Sequence, residues 1–254
     1  MADKYVDIDT LKYLLYDVHE LEKLLERERF IDHDKESLDM FLDSSKDFAD
    51  RELFPYFKEM DENPAFHKDG QVYVHKQVET MMKKGGELGF ISSSFDYEVG
   101  GLQIPLMAST ASSYILDAAN NHLPGYAGLT QGAAELIIHF AKKDLLDKYV
   151  PDMLAGNWGG TMCLTEPQAG SSLSDIVTKA TPNENGYYNI SGQKIFISAG
   201  DNQYLDNIVH LVLARVEGAP KGTKGISLFI VPKNKKLDDG SLEPNDVTSV
   251  ADFQ

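Results

Sequence analysis

The stretch MCLTEPQAGSSLSDIVTKA, residues 162–180, decides how the second half of the chain is read. Residues 162–165 read as a strand that stops at Glu166-Pro167, because proline lacks a ladder donor. A loop of small residues follows, Gln168-Ala169-Gly170-Ser171-Ser172, and a second strand is expected over 176–180. Gly170 has no Cβ, so backbone N–H groups there can approach an anion closely. Ser171 and Ser172 add hydroxyl donors. The loop has no lysine or arginine, so any anion it holds meets neutral donors, which suits a diphosphate already partly shielded inside a ligand. Along the first strand Cys163 and Thr165 take one face, Met162 and Leu164 the other. A flat ring lying on such a sheet could receive hydrogen bonds from the main chain and from the Thr165 hydroxyl. From spacing alone two readings stay open: an ordinary turn built on Pro and Gly, or a cradle of this kind.

The surrounding sequence sets the context. From Trp158 onward short β-rich runs recur at 161–165, 176–180, 187–190, 194–198, 208–215 and 226–231, separated by the turn clusters PNENG, SAGDNQ and EGAPKGTKG. Strands without intervening helical periods predict an antiparallel sheet or small barrel. The run GYYNISGQKIFISAGDNQ, residues 186–203, predicts a hairpin turning at Ser191-Gly192. In it Phe196 and Ser198 fall on the same side, and Phe196 is either a core residue or an aromatic face for a ligand. Upstream the period is helical. Leu11, Leu14, Leu15, Val18, Leu21 and Leu25 predict a helix capped at Asp9 or Thr10. Further helices are expected over 35–58, kinked or broken at Pro55, and over 75–88, 105–120, 129–141 and 143–154. The chain therefore reads as α+β: an N-terminal helical extension over 1–34, an all-helical domain over 35–157, and a small antiparallel β-barrel or sheet domain over 158–254.

Composition narrows the functions. The 254 residues carry a net charge of −16, with 16 basic against 29 acidic side chains in residues 1–160. Such a surface repels phosphate backbones and anionic lipid, which argues against nucleic acid or membrane-surface binding. No apolar run approaches the roughly 20 residues of a membrane span. MADKYVDIDT has neither the basic nor the apolar segment of a secretory signal. The one cysteine, Cys163, fits a reducing compartment, so a cytoplasmic location is expected. The seven histidines show no metal-ligand spacing, and no metal site is expected. Neither G-x-x-x-x-G-K-[ST], G-x-G-x-x-G nor G-x-S-x-G occurs, which removes the common nucleotide loops and the serine-hydrolase elbow.

Taken together, the two stretches resemble the acyl-CoA dehydrogenase family, in which x-C-x-T-E-P-x-A-G-S is followed by I-x-G-x-K-x-[WF]-I-[ST]-x-G. The matching residues are Cys163, Thr165-Glu166-Pro167 and Ala169-Gly170-Ser171, then Ile190, Gly192, Lys194, Phe196-Ile197-Ser198 and Gly200. KKDLLDKYVPDMLAGNWGG and YEVGGLQIP are similar to the family's lead-in and its E-x-GG-x-G-x-P loop. KIFISAGD, NIVHLVLAR and the N-terminal extension resemble the longer bacterial subgroup that includes 3-methylthiopropanoyl-CoA dehydrogenases.

The resemblance implies a flavoprotein oxidoreductase of fatty-acid metabolism. It would bind FAD, dehydrogenate an acyl-CoA thioester to the trans-2-enoyl-CoA, and pass electrons to an electron-transferring flavoprotein. Residue by residue, it implies FAD contacts at Met162, Cys163, Leu164, Thr165, Gly170, Ser171, Phe196, Ile197 and Ser198, with Ser171 also beside the acyl-CoA. It further implies a homo-oligomer for the full-length protein. The family's catalytic glutamate lies in a C-terminal helical domain that this sequence stops short of, so no catalytic residue is assigned. Glu166 is expected to be structural, and the 254 residues alone are expected to be a fragment, inactive as a dehydrogenase. An acyl-CoA oxidase, a nitroalkane oxidase and a non-catalytic binding module on the same fold remain the alternatives.

Overall fold

The computed structural model describes residues 5–249; residues 1–4 and 250–254, with the chain end at Phe253-Gln254, lie outside it. Helix α1 (Ile8–Tyr13) is capped by Asp7, whose carboxylate accepts the Thr10 N–H at 3.1 Å, two residues earlier than Asp9. The helix expected to run on through Leu25 instead widens into a π-helical turn over Leu14–Val18. It then breaks at Glu20 (φ 51°) and resumes as α2 (Glu22–Leu25). Burial explains the break: Leu15, Tyr16 and Leu21 all reach the core, while Val18 stays 49% exposed, so packing overrides the uninterrupted period.

Helix α3 (Lys35–Phe48) begins with a reciprocal cap between Asp34 and Ser37 and buries Leu38, Phe41, Leu42 and Phe48. Its continuation changes to a π-helical turn at Ala49–Leu53 and a 3-10 turn at Phe54–Tyr56, and α4 (Phe57–Glu62) follows. Pro55 thus breaks the run. Strands β1 (Phe66–Lys68) and β2 (Gln71–Tyr73) form a hairpin absent from the sequence reading. Its turn, Asp69-Gly70, has both residues at positive φ (51° and 79°), the geometry that Asp-Gly favours. Helices α5 (Gln77–Glu87), α6 (Leu106–Asn120), α7 (Pro124–Phe140) and α8 (Lys143–Leu154) complete the helical part. α7 starts five residues before the expected 129 because Pro124 suits its first turn.

The sheet is built on β6 (Asn207–Val216). It pairs in parallel with β3 (Trp158–Cys163) and, further along the same edge, with β4 (Lys179–Pro182). Its other edge pairs antiparallel with β7 (Ile226–Pro232). β5 (Tyr188–Ser191) closes a hairpin with β4, and β8 (Asn234–Lys236) pairs with β9 (Leu242–Pro244). The expected antiparallel pattern therefore holds for β4–β5 and β6–β7, but the sheet as a whole is mixed. Parallel pairing needs long crossovers, and here residues 164–178 and 192–206 supply them without an α-helix. The run 194–198 is irregular rather than a strand, and the hairpin turns at Asn183–Gly186, where the Asn183 carboxamide oxygen accepts from Asn185 and Tyr187. Gly192 instead lies against Thr178: a Cβ there would sit 2.3 Å from Thr178 Oγ1 and 2.8 Å from its Cα.

One face of the sheet is seated on the helices. A Cβ on Gly160 would lie 2.8 Å from both Ala133 Cβ and Met153 Cε, so α7 and α8 approach β3 closely. Trp158, on the same side, is buried beside Tyr149 and under Lys236 Nζ. Thr161 and Cys163 occupy the opposite face with His210, across the β3–β6 register.

Candidate functional site

The crossover that follows β3 is organised by one carboxylate. Glu166 is only 2% exposed, and its two oxygens accept five hydrogen bonds. Val177 N–H (2.7 Å), Thr178 N–H (3.1 Å), Thr178 Oγ1 (2.6 Å), Gln168 Nε2 (2.7 Å) and Lys194 Nζ (2.8 Å) are the donors. Burial alone would raise its pKa. The Lys194 ammonium and the other donors outweigh burial and hold it at about 2. A carboxylate so fully engaged and so strongly acidic is a very weak base at neutral pH, its oxygens already committed to five donors.

Lys194 also donates to the Leu164 carbonyl at 3.0 Å, and the next residue, Ile195, donates its N–H to the Thr165 carbonyl at 3.0 Å. The two stretches, some thirty residues apart in sequence, are thus joined side by side. Leu164 and Thr165 are half-buried, and the Thr165 hydroxyl bonds to no described residue. Immediately beyond Ile195, Phe196 stands 88% exposed with φ 56°, and Ala199 follows at φ 55°. Two left-handed non-glycine residues within four positions cost about 1–3 kcal/mol each, and such strain clusters at binding sites. Ile197 is half-buried and Ser198 exposed. The segment is anchored at its far end by Asp201, which pairs with Lys233 and accepts Ser249 Oγ at 2.9 Å.

Directly after Thr165, reciprocal bonds between Glu166 and Ala169 close a tight turn (2.9 and 3.0 Å). The next three backbone N–H groups, of Gly170, Ser171 and Ser172, make no hydrogen bond to any described residue, and all three residues are exposed. A Cβ at Gly170 would meet nothing within 4 Å, so packing within the described residues does not demand glycine there. The hydroxyls divide: Ser172 Oγ donates to Asp175 Oδ2 at 2.7 Å, which leaves Ser171 as the hydroxyl free to bind a ligand.

The side chains of Met162 and Cys163 do not face this opening. Met162 packs half-buried against the helical core. Cys163 points into the curled sheet, with Sγ 3.4 Å from Thr161 Oγ1 and 3.8 Å from His210 Nδ1. Burial raises the Cys163 pKa and lowers that of His210 to about 4, so both are neutral at pH 7. The sequence reading gave no role to His210 or Thr178 and missed that Lys194 ties the two loops, although all three lie in stretches it singled out: Thr178 in 162–180, Lys194 in 186–203 and His210 in NIVHLVLAR. Among the described residues no group of three or more His, Cys, Asp or Glu is gathered as a metal site. The arrangement offers consecutive neutral anion donors at 170–172. Beside them lies a face formed by Leu164, Thr165 and the strained 196–199 segment.

A helical part joined to a mixed, curled sheet, with two motif-bearing loops meeting at its rim, defines an α+β class of two-part proteins. The chain belongs to the acyl-CoA dehydrogenase family. The family's N-terminal domain matches residues 35–157, and its middle domain matches residues 161–249. Over 166 residues it is 39% identical to a 3-methylmercaptopropionyl-CoA dehydrogenase of Ruegeria pomeroyi, covering 65% of this chain and 28% of that protein. It is 34% identical over 223 residues to a broad-specificity linear acyl-CoA dehydrogenase of Mycobacterium tuberculosis, covering 86% and 36%. The crystal structure of an acyl-CoA dehydrogenase from Geobacillus kaustophilus superposes with a TM-score of 0.63 at 25% identity, over 78% of this chain and 48% of that one. The chain thus spans about a third or less of the length of these curated relatives.

Proposed function

We propose that this chain carries the helical and β parts of an FAD-dependent enzyme that oxidises an acyl-CoA thioester to the trans-2-enoyl-CoA and passes the electrons to an electron-transferring flavoprotein. The observation that carries the reading is the 3.0 Å bond from Ile195 N–H to the Thr165 carbonyl, which brings both motifs to one rim. The residues present fit the cofactor. The free N–H groups of 170–172 and the Ser171 hydroxyl suit a diphosphate, the Thr165 hydroxyl suits a polar ring edge, and Phe196 and Ser198 lie beside it. When bound, FAD supplies a two-electron acceptor for a hydride from the substrate.

In this reading the residues of the chain place and shield that group. Leu164 and Thr165 present main-chain and hydroxyl hydrogen bonds, and Glu166 with Lys194 keeps the two loops in register. Ser171 serves both the diphosphate and the acyl-CoA. Proton abstraction is assigned to none of these residues. The test is an absorption spectrum of the full-length protein titrated with acyl-CoAs of graded chain length. A bound flavin spectrum that bleaches with at least one of them is expected; a full-length protein that holds no flavin, or holds one that no acyl-CoA bleaches, overturns the reading.

A further inference from the structure

The loop 168–172 contains no cation, yet one cationic side chain holds the segment that follows it. Arg215, near the end of β6, makes no ion pair with a carboxylate among the described residues and donates instead to backbone carbonyls. Nε donates to Ile176 O at 2.9 Å and Nη2 to Ser174 O. Nη1 donates to Gly222 O at 2.7 Å and, more weakly, to Pro220 O at 3.5 Å. Its own N–H is fixed to Thr178 O at 2.9 Å, so the guanidinium projects from a strand whose register is set. Gly225 makes room for it: a Cβ there would lie 1.8 Å from Pro220 O and 3.2 Å from Nη1.

Two of the carbonyls held belong to the segment directly after the free N–H groups. Residues 171–175 form one continuous turn, through Leu173 N–H to Ser171 O (3.1 Å), Asp175 N–H to Ser172 O (3.0 Å) and Ser172 Oγ to Asp175. Fixing Ser174 and Ile176 therefore fixes the orientation of the donors at 170–172. The rigid planar fork of arginine suits this task, because one side chain can hold two loops at once.

We propose that Arg215 is a positioning residue for the diphosphate turn, linking it to the 217–225 loop; the ligand in question rests on the FAD reading above. Two measurements on the full-length protein test it, with Arg215→Gln and Arg215→Lys. The first is hydrogen exchange without flavin. The hydrogen-bonded amides of Leu173, Asp175 and Ile176, and those of the 217–225 loop, are expected to exchange faster in both variants, with β6 amides 208–213 unchanged. Unaltered exchange at 173, 175 and 176 overturns the clamp. The second compares FAD with riboflavin, which lacks the diphosphate. In Arg215→Gln the FAD Kd should rise about tenfold while the riboflavin Kd stays within about twofold, with a smaller rise for Arg215→Lys. Equal losses for both ligands, or no loss for either, overturn the positioning role. A wild-type protein that binds no FAD defeats the functional reading instead, and the exchange experiment then decides the clamp by itself. Should Arg215→Gln not fold, Arg215→Lys carries both measurements.

Discussion

Removing the Lys194 ammonium by Lys194→Met leaves Glu166 buried with four donors in place of five. Deleting one partner of a buried pair typically costs about 3–5 kcal/mol, because the remaining charge stays desolvated. The surviving donors from Thr178, Val177 and Gln168 place this case near 3 kcal/mol. Acid probes a different quantity, the net effect of all five donors against burial. Glu166 titrates at about 2 in the fold against 4.5 for a free carboxyl. A folded pKa below the unfolded one stabilises the fold fully above pH 4.5, and this contribution disappears as pH falls through 2. At 1.36 kcal/mol per pH unit the 2.5-unit gap amounts to about 3 kcal/mol, with little screening at so buried a group.

Urea unfolding of wild type, Lys194→Met, Glu166→Gln and the double variant at pH 7 and at pH 3 reads both. Lys194→Met should lose about 3 kcal/mol at pH 7, Glu166→Gln should flatten the acid limb, and the double variant should lose less than the sum of the two. A Lys194→Met variant as stable as wild type, or identical acid limbs for wild type and Glu166→Gln, would refute the assignment of Glu166 as the tie between the loops.

Other perturbations reach different parts of the molecule. Gly192→Ala forces a methyl against the Thr178 backbone and should lower stability by about 1–3 kcal/mol in thermal unfolding. Thr165→Val removes a hydroxyl that bonds to no described residue. Unfolding should be nearly unchanged while FAD affinity in the full-length protein falls about fivefold or more, near 1 kcal/mol. His210 should remain neutral at pH 5.5 by nitrogen NMR, because burial lowers its pKa to about 4. Its depressed value stabilises the fold fully above pH 6.5, and that contribution is lost as pH falls through 4.

Much of the fold was legible locally. α8 spans the residues its periodicity marks, and α5 and α6 lie within a residue or two of theirs. These helices carry one buried stripe each, so a period of 3.6 suffices to find them. The first helix misled for the opposite reason: Leu14 and Val18 continue its apolar stripe, yet the core takes Leu15, Tyr16 and Leu21 and the backbone widens to allow it. The β1–β2 hairpin was missed because its three-residue strands are too short to show alternation, although Asp69-Gly70 marked the turn.

For the candidate site, the sequence by itself determined that a strand precedes Glu166-Pro167, though it ends at Cys163 rather than at 165, that small residues follow, and that a Gly-x-Lys-x-Phe run lies downstream. It did not determine that 194–198 is irregular, that β3 and β4 run parallel to β6, or which of the two serine hydroxyls is free. Those outcomes rest on contacts between residues far apart in the chain. A buried carboxylate must gather its donors from wherever the fold brings them, and Glu166 draws Thr178 and Lys194 together across two crossovers. Residue type and spacing report the local backbone. The pairing of distant segments is decided only when burial makes every unsatisfied charge and carbonyl costly.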